Sequence, residues 1–189
     1  MASPSVLVTD TNIWIDLENG GILAEVFGLP YQFLTPDFAI RELVRPKWQM
    51  LQALGLQSQE LEPVLIQELA HLRAANRALS ATDLAAFLIA RALDATLLTG
   101  DWRLNDLAAK NGLRVHGVLW LLDEMVRFRA IAPENAAENI NQDSLDVGVA
   151  HDEGKTLFHH FRGGASSHVE KIRRFSSGVC GTCCPKVGM

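Results

Sequence analysis

The chain has 189 residues, 48% of them hydrophobic and 21% charged, with a formal charge of -5. This is a globular composition of a length that suits one domain with an appendage, and no apolar run approaches the roughly 18–20 residues of a membrane span. An acidic chain has no bulk attraction for nucleic acid, so any such binding requires a local site or a metal.

The N-terminal Met1-Ala2-Ser3-Pro4-Ser5 carries no Lys or Arg. The apolar run behind it is too short for a signal peptide, so a cytoplasmic protein is expected. Val6-Leu7-Val8 is brief and β-branched and reads as a buried strand that stops at Asp10. Asn12 follows, then Ile13, Trp14, Ile15 and Leu17 in a helical pattern. A carboxylate and a carboxamide therefore stand at a strand-to-helix corner. In an open α/β sheet that corner faces the ligand crevice, although Asp and Asn also build plain turns and caps.

Gly20-Gly21 and Gly28 to Pro30 mark turns. Gln32 to Thr35 is a short strand. A helix is expected from about Asp37 to Val44, with Glu42 in its interior and Pro46 closing it. Trp48 to Leu54 reads as helix and Leu56 to Leu61 as a weak edge strand. Pro63 opens a helix that carries Leu65, Leu69 and Leu72 at helical spacing. Ser80-Ala81-Thr82-Asp83 introduces a helix from Asp83 to Leu93. Its interior, Leu84 to Ala90, is apolar all round and hence buried. Ala95 to Thr99 is a further strand, ended by Gly100-Asp101. Trp102 to Asn111 is a helix with Gly112 as its stop. Leu113 to His116 is a strand, and Gly117 to Arg129 an amphipathic helix.

Strands alternating with helices argue an α/β fold, with a parallel sheet covered on both faces. Residues 1–132 form the expected domain. Residues 133–189 show little periodicity and read as a poorly structured extension of unknown role. Residues 153–189 carry a net +4, which leaves -9 on the rest of the chain. Cys180, Cys183 and Cys184 lie there with His159, His160 and His168. Cys-x-x-Cys-Cys invites a zinc reading but lacks a second paired ligand set, and three late cysteines make no disulfide framework.

Four carboxylates fall at element boundaries or beside apolar runs: Asp10, Glu42, Asp83 and Asp101. Strand C-termini of a parallel sheet share one edge, which puts Asp10 and Asp101 at the same crevice. Asp83 opens the helix that leads into the Asp101 strand, so it returns to that edge, and Glu42 sits soon after a strand. Each has a plain structural reading as well. Ser80 to Asp83 is spaced like a capping box, Asp101 is placed like an N-cap, and Glu42 could be a surface acid. Together they suggest a hard divalent cation, because clustered carboxylates repel one another. Arg41, Arg45, Lys47 and Arg103 lie near these segments as phosphate-contact candidates, each also readable as a solvated surface charge.

The ordered set resembles the PIN-domain family of metal-dependent ribonucleases, most closely its VapC-like toxin branch. The resemblance rests on Val6-Leu7-Val8-Thr9-Asp10-Thr11-Asn12, on Thr35-Pro36-Asp37 leading to Arg41-Glu42-Leu43, on Thr82-Asp83, and on Leu97-Leu98-Thr99-Gly100-Asp101-Trp102-Arg103-Leu104. It continues through Gly112-Leu113-Arg114-Val115-His116-Gly117 and covers about residues 5 to 130. It implies a three-layer fold and Mg²⁺-dependent hydrolysis of RNA phosphodiester bonds, with Mn²⁺ as a substitute. Asp10, Glu42, Asp83 and Asp101 would be the catalytic and metal-binding acids, with Asn12 and Thr99 in support. It also implies an antitoxin partner and a homodimer.

Two alternatives remain at this point. Asp10-Thr11-Asn12 is similar to the nucleophile motif of haloacid dehalogenase-like phosphatases, with Asp10 attacking phosphate and Gly100-Asp101 with Asp106 as the metal motif. That class wants a second acid where Asn12 stands, and it leaves Glu42 and Asp83 unexplained. The other alternative is a PIN-like module that binds nucleic acid or protein without turnover.

Overall fold

The computed structural model describes residues 5–132 and residue 135. Five strands form one sheet: β1 (Ser5–Thr9), β2 (Tyr31–Pro36), β3 (Gln57–Gln59), β4 (Thr96–Leu98) and β5 (Val115–His116). Their spatial order is β3-β2-β1-β4-β5, and every pairing is parallel. The helices are α1 (Thr11–Asn19), α2 (Ala39–Glu42), α3 (Trp48–Leu54), α4 (Pro63–Ala75), α5 (Ala81–Ala92), α6 (Trp102–Lys110) and α7 (Val118–Arg127), with a 3₁₀ turn at Glu25–Gly28.

The two-residue periodicity of the strands divides the core. Leu7 of β1, Phe33 of β2 and Leu98 of β4 point to one face. There they meet Ile13, Trp14 and Leu17 of α1, Leu51 of α3 and Leu121, Leu122 and Met125 of α7. Val8, Leu34 and Leu97 point to the other face. They meet Leu69 of α4, Leu84, Phe87 and Leu88 of α5, and Leu104 and Ala108 of α6. The result is the expected α/β three-layer arrangement. Buried on both faces, β1 must be apolar throughout, which is why it reads as a continuous run rather than an alternation.

Helix α5 is the most enclosed. Its residues Leu84 to Ala90 are all buried. Each large apolar side chain so covered contributes about 1.5–3 kcal/mol relative to exposure. Asp94 has a positive φ of 48° at the turn from α5 into β4, a conformation Asp tolerates better than most residues. That turn joins the C-terminus of α5 to the start of β4, and so the N-terminus of α5 lies at the C-terminal edge of the sheet. The stop at Gly112 is as expected. Gly112 has φ 75°, and Leu113 N–H bonds the Ala108 carbonyl at 3.0 Å, closing α6 as a helix-ending turn of the left-handed type.

Several boundaries differ from expectation. Strands β4 and β5 are shorter than the expected Ala95 to Thr99 and Leu113 to His116 runs, and three further differences have a physical reason. The helix carrying Glu42 is one turn, Ala39–Glu42, so Glu42 is its last residue rather than an interior one. Leu43 leaves helical geometry at ψ 100° and is buried in the α1–α7 layer; bringing it into that layer ends the turn early. The α5 helix begins at Ala81, with Asp83 as its third residue, because Ser80 takes the cap. The edge strand β3 is three residues long, an edge too short to present much unpaired backbone. The extension at 133–189, including Cys180, Cys183 and Cys184, lies outside the described residues apart from Asn135.

Candidate metal centre

The sheet order reverses direction at the β1/β4 boundary. The chain steps outward from β1 to β2 and β3 on one side, then returns to β4 and β5 on the other. Connections leaving adjacent strands in opposite directions open a crevice at their C-terminal ends. Asp10 follows β1 and Asp101 follows β4 at that crevice.

Asp10 is fully buried. Its backbone N–H bonds the Leu98 carbonyl at 3.2 Å, fixing it to the end of β4. Its Oδ1 accepts the N–H of Ile13 at 3.1 Å, which caps α1. Its Oδ2 accepts the hydroxyl of Thr99 at 2.5 Å. Burial pushes the Asp10 carboxyl up to about 6; the Thr99 and Ile13 hydrogen bonds oppose that rise, and the nearby Asp83 charge adds to it. Two threonines stiffen the floor beneath. Thr9 Oγ1 donates to the Leu34 carbonyl at 3.2 Å, and Thr35 Oγ1 donates to the Thr9 carbonyl at 3.3 Å.

Thr99 links the two strand-end acids. While donating to Asp10, its Oγ1 accepts the backbone N–H of Asp101 at 3.0 Å. Asp101 caps α6, its Oδ1 accepting the Arg103 N–H at 2.7 Å. A second pair forms on the α5 side. Buried Thr82 donates to Glu42 Oε1 at 2.6 Å. Next to it, Asp83 completes a capping box: Ser80 N–H reaches Asp83 Oδ2 at 2.8 Å and Asp83 N–H reaches Ser80 Oγ at 3.0 Å. The capping roles read from the sequence for Asp83 and Asp101 are thus realised. A helix-capping carboxylate keeps a second oxygen and further lone pairs, so capping does not exhaust it.

The carboxylates thus stand in two groups, Asp10 with Asp101 through Thr99 and Glu42 with Asp83 through α5, with Asp83 close enough to raise the Asp10 pKa. Among the described residues no three Asp, Glu, His or Cys side chains are close enough together to hold a metal ion as they stand. Asn12 is exposed on the first turn of α1, and Arg41 and Arg103 are exposed.

Two further acids at this edge escape a reading based on strand ends alone. Asp16 of α1 is buried at 5% exposure, and its Oδ2 lies 3.9 Å from where a Cβ on Gly100 would stand. A carboxylate therefore flanks the Gly100-Asp101 turn. Its signal was legible: Ile13, Trp14 and Leu17 define the buried stripe of α1, and Asp16, three residues after Ile13, falls on it. Asp37 follows β2, the strand beside β1, and its Oδ1 is buried with no hydrogen-bond partner among the described residues. Its position after a strand matches that of Asp10, but Pro36-Asp37 reads equally well as a helix start.

A hard divalent cation fits this chemistry. Magnesium takes one or two carboxylates directly and keeps several waters, so a dispersed set of acids suits it better than it would suit zinc. A buried carboxylate with a second negative charge beside it, and an unpaired carboxylate oxygen at the same edge, are the surroundings that a cation relieves.

A family model described as a PIN domain matches residues 6–143 of the chain, which includes every acid named above. No curated protein and no solved structure matches it.

Proposed function

From the premise that the chain belongs to the PIN domain family, a fold of the nuclease type, we propose that it is a Mg²⁺-dependent endoribonuclease, with Asp10, Glu42, Asp83 and Asp101 as its catalytic acids. The observation that carries this reading is Asp10: a fully buried carboxylate at the end of the central strand, where the sheet order reverses. A buried acid whose ionised form is disfavoured, placed at a ligand-binding edge of the sheet, is a candidate for a functional site.

In this reading Asp10, Glu42, Asp83 and Asp101 would hold the cation between them, some directly and some through its waters. When bound, a divalent ion supplies Lewis-acid polarisation of phosphoryl oxygen and a bound water of lowered pKa. The chain's own residues do the rest. Thr99 holds Asp10 in one orientation and favours its ionised form. Thr82 holds Glu42 Oε1. The caps of α1 and α6 fix Asp10 and Asp101 to helix starts, where the N-terminal dipoles favour negative charge. Arg41 and Arg103 are the proposed phosphate contacts, and Asn12 a supporting amide. The cation also supplies positive charge that a chain of net charge -5 lacks, and Mn²⁺ is expected to substitute for Mg²⁺.

The motif resemblance to VapC-like toxins supports a toxin role, with a cognate antitoxin and a homodimer as partners. A cytoplasmic location is proposed; no helix among the described residues is long and apolar enough to cross a membrane. The phosphatase alternative has lost its support, since the matched family is a different one. The experiment is cleavage of a single-stranded RNA by the full chain, with Mg²⁺ and with EDTA, beside the Asp10→Asn variant. Mg²⁺-dependent cleavage lost in the variant is the expected result. RNA binding without turnover in any divalent metal would instead make this a binding module.

A further inference from the structure

Trp102 is the first residue of α6 and directly follows Asp101. Leu104 and Ala108 of the same helix are fully buried, but the indole is 48% exposed. Trp14, by contrast, is fully enclosed, stacked on Phe27 at 5.4 Å between ring centres. The Arg103 guanidinium carbon lies 4.9 Å from the centre of the Trp102 ring. The Arg103 backbone N–H is the one that Asp101 Oδ1 captures at 2.7 Å. One short turn thus fixes a proposed catalytic carboxylate, an open aromatic surface and a cation together, at the edge where the sheet reverses order.

We propose that Trp102, backed by Arg103, is a stacking platform for a base adjoining the scissile phosphate. This rests on the nuclease reading and adds a substrate-positioning residue to it. Every base has a π-face, so stacking tolerates sequence, but in a duplex those faces are already occupied. Arg103 offers a positive charge to the adjacent phosphate in an otherwise acidic body, and its contact with the ring holds both side chains in place. Tryptophan and arginine also dominate protein–protein hot spots. An exposed ring with a guanidinium against it, next to a proposed catalytic acid, favours RNA, which offers both a base to the ring and a phosphate to the cation.

The test uses the full chain with Mg²⁺ and a single-stranded oligoribonucleotide whose cut position has been mapped on the parent. Trp102→Ala should raise KM by about 5- to 160-fold, the range of one lost base stack, with kcat within about twofold. Trp102→Phe should recover most of the loss. An abasic residue beside the cut should cost the parent a similar factor and cost Trp102→Ala nothing more. A parent indifferent to base removal on either side of the cut would overturn the platform even if Trp102→Ala failed to fold. Unchanged kinetics in Trp102→Ala would overturn it too. A parent that cleaves no RNA sinks the nuclease reading and the platform with it; a cleaving parent with an unaffected Trp102→Ala sinks the platform alone.

Discussion

The Thr99 hydroxyl donates to Asp10 Oδ2 at 2.5 Å, joining residues 89 positions apart in sequence, and the same oxygen accepts the Asp101 N–H. One side chain therefore favours the ionised form of the first acid and helps position the last. Removing the hydroxyl while keeping the shape, as in Thr99→Val, withdraws a bond that lowers the Asp10 pKa. The Asp10 carboxyl should titrate higher in the metal-free variant, read by carboxyl-carbon NMR. Cleavage at neutral pH should fall by about 10- to 100-fold, the usual cost of losing a group that orients a metal ligand. An unmoved titration would show that Thr99 only closes the strand end.

Burial of Asp10 has a consequence for stability with a definite sign. Its carboxyl is raised from 3.8 to about 6 in the folded chain. Between those values the folded state holds a proton that the unfolded state has released, so stability falls as pH rises through this window and is flat for this group above it. The loss is about 3 kcal/mol in EDTA. Asp10→Asn should remove that slope and be at least as stable as the parent at pH 7. Chemical denaturation between pH 4 and 7.5 measures both. Excess Mg²⁺ should raise the parent's melting temperature at pH 7 and do little for the variant, because a ligand of the native state alone stabilises it.

Much of this layout was open to a reader of the sequence, for identifiable reasons. Strands buried on both faces are continuous apolar runs, and α5 is apolar all round, so periodicity and length separated them. Asp10 and Asp101 were visible because each interrupts such a run. Asp16 was legible from the buried stripe of α1 on which it falls. The other residues that escaped depend on long-range geometry, Asp37 on β2 lying next to β1. The length of the helix before Glu42 depends on where Leu43 is buried, which no local pattern encodes. Thr82 gave no local sign that its hydroxyl would reach a residue 40 positions away.

Asp83 has two roles that separate by substitution. Ser80→Ala removes one half of the capping box and leaves the Asp83 charge; it should cost about 1 kcal/mol of stability and leave cleavage within a few-fold. Asp83→Asn keeps a side-chain oxygen to accept the Ser80 N–H but loses the charge beside Asp10. Its cleavage should vanish while its metal-free melting temperature stays near the parent's. The reverse outcome, a weakened fold with full cleavage in Asp83→Asn, would leave Asp83 a cap and nothing else.

A distant contact provides the control that distinguishes damage to the fold from damage to the site. Tyr31 stands at the start of β2, away from the strand ends that carry the acids, and its hydroxyl donates to Glu124 of α7. Glu124 is buried at 7% exposure and also accepts from Arg127 at 3.1 Å. Burial, reinforced by the bond to Glu124 and its negative charge, pushes the Tyr31 phenol up to about 12, so it stays a donor throughout the physiological range. Tyr31→Phe leaves the Glu124 carboxylate short of one partner while Arg127 remains. The expected cost is about 1–3 kcal/mol, the penalty for an under-satisfied buried acceptor. Because α7 packs on the α1 layer without supplying any of the four proposed acids, cleavage per folded molecule should be unchanged. Melting curves and cleavage rates measured on the same preparation decide it. A loss of cleavage larger than the loss of folded protein would mean that α7 transmits its position to the crevice, and the acids could then no longer be treated as fixed by the strand ends alone.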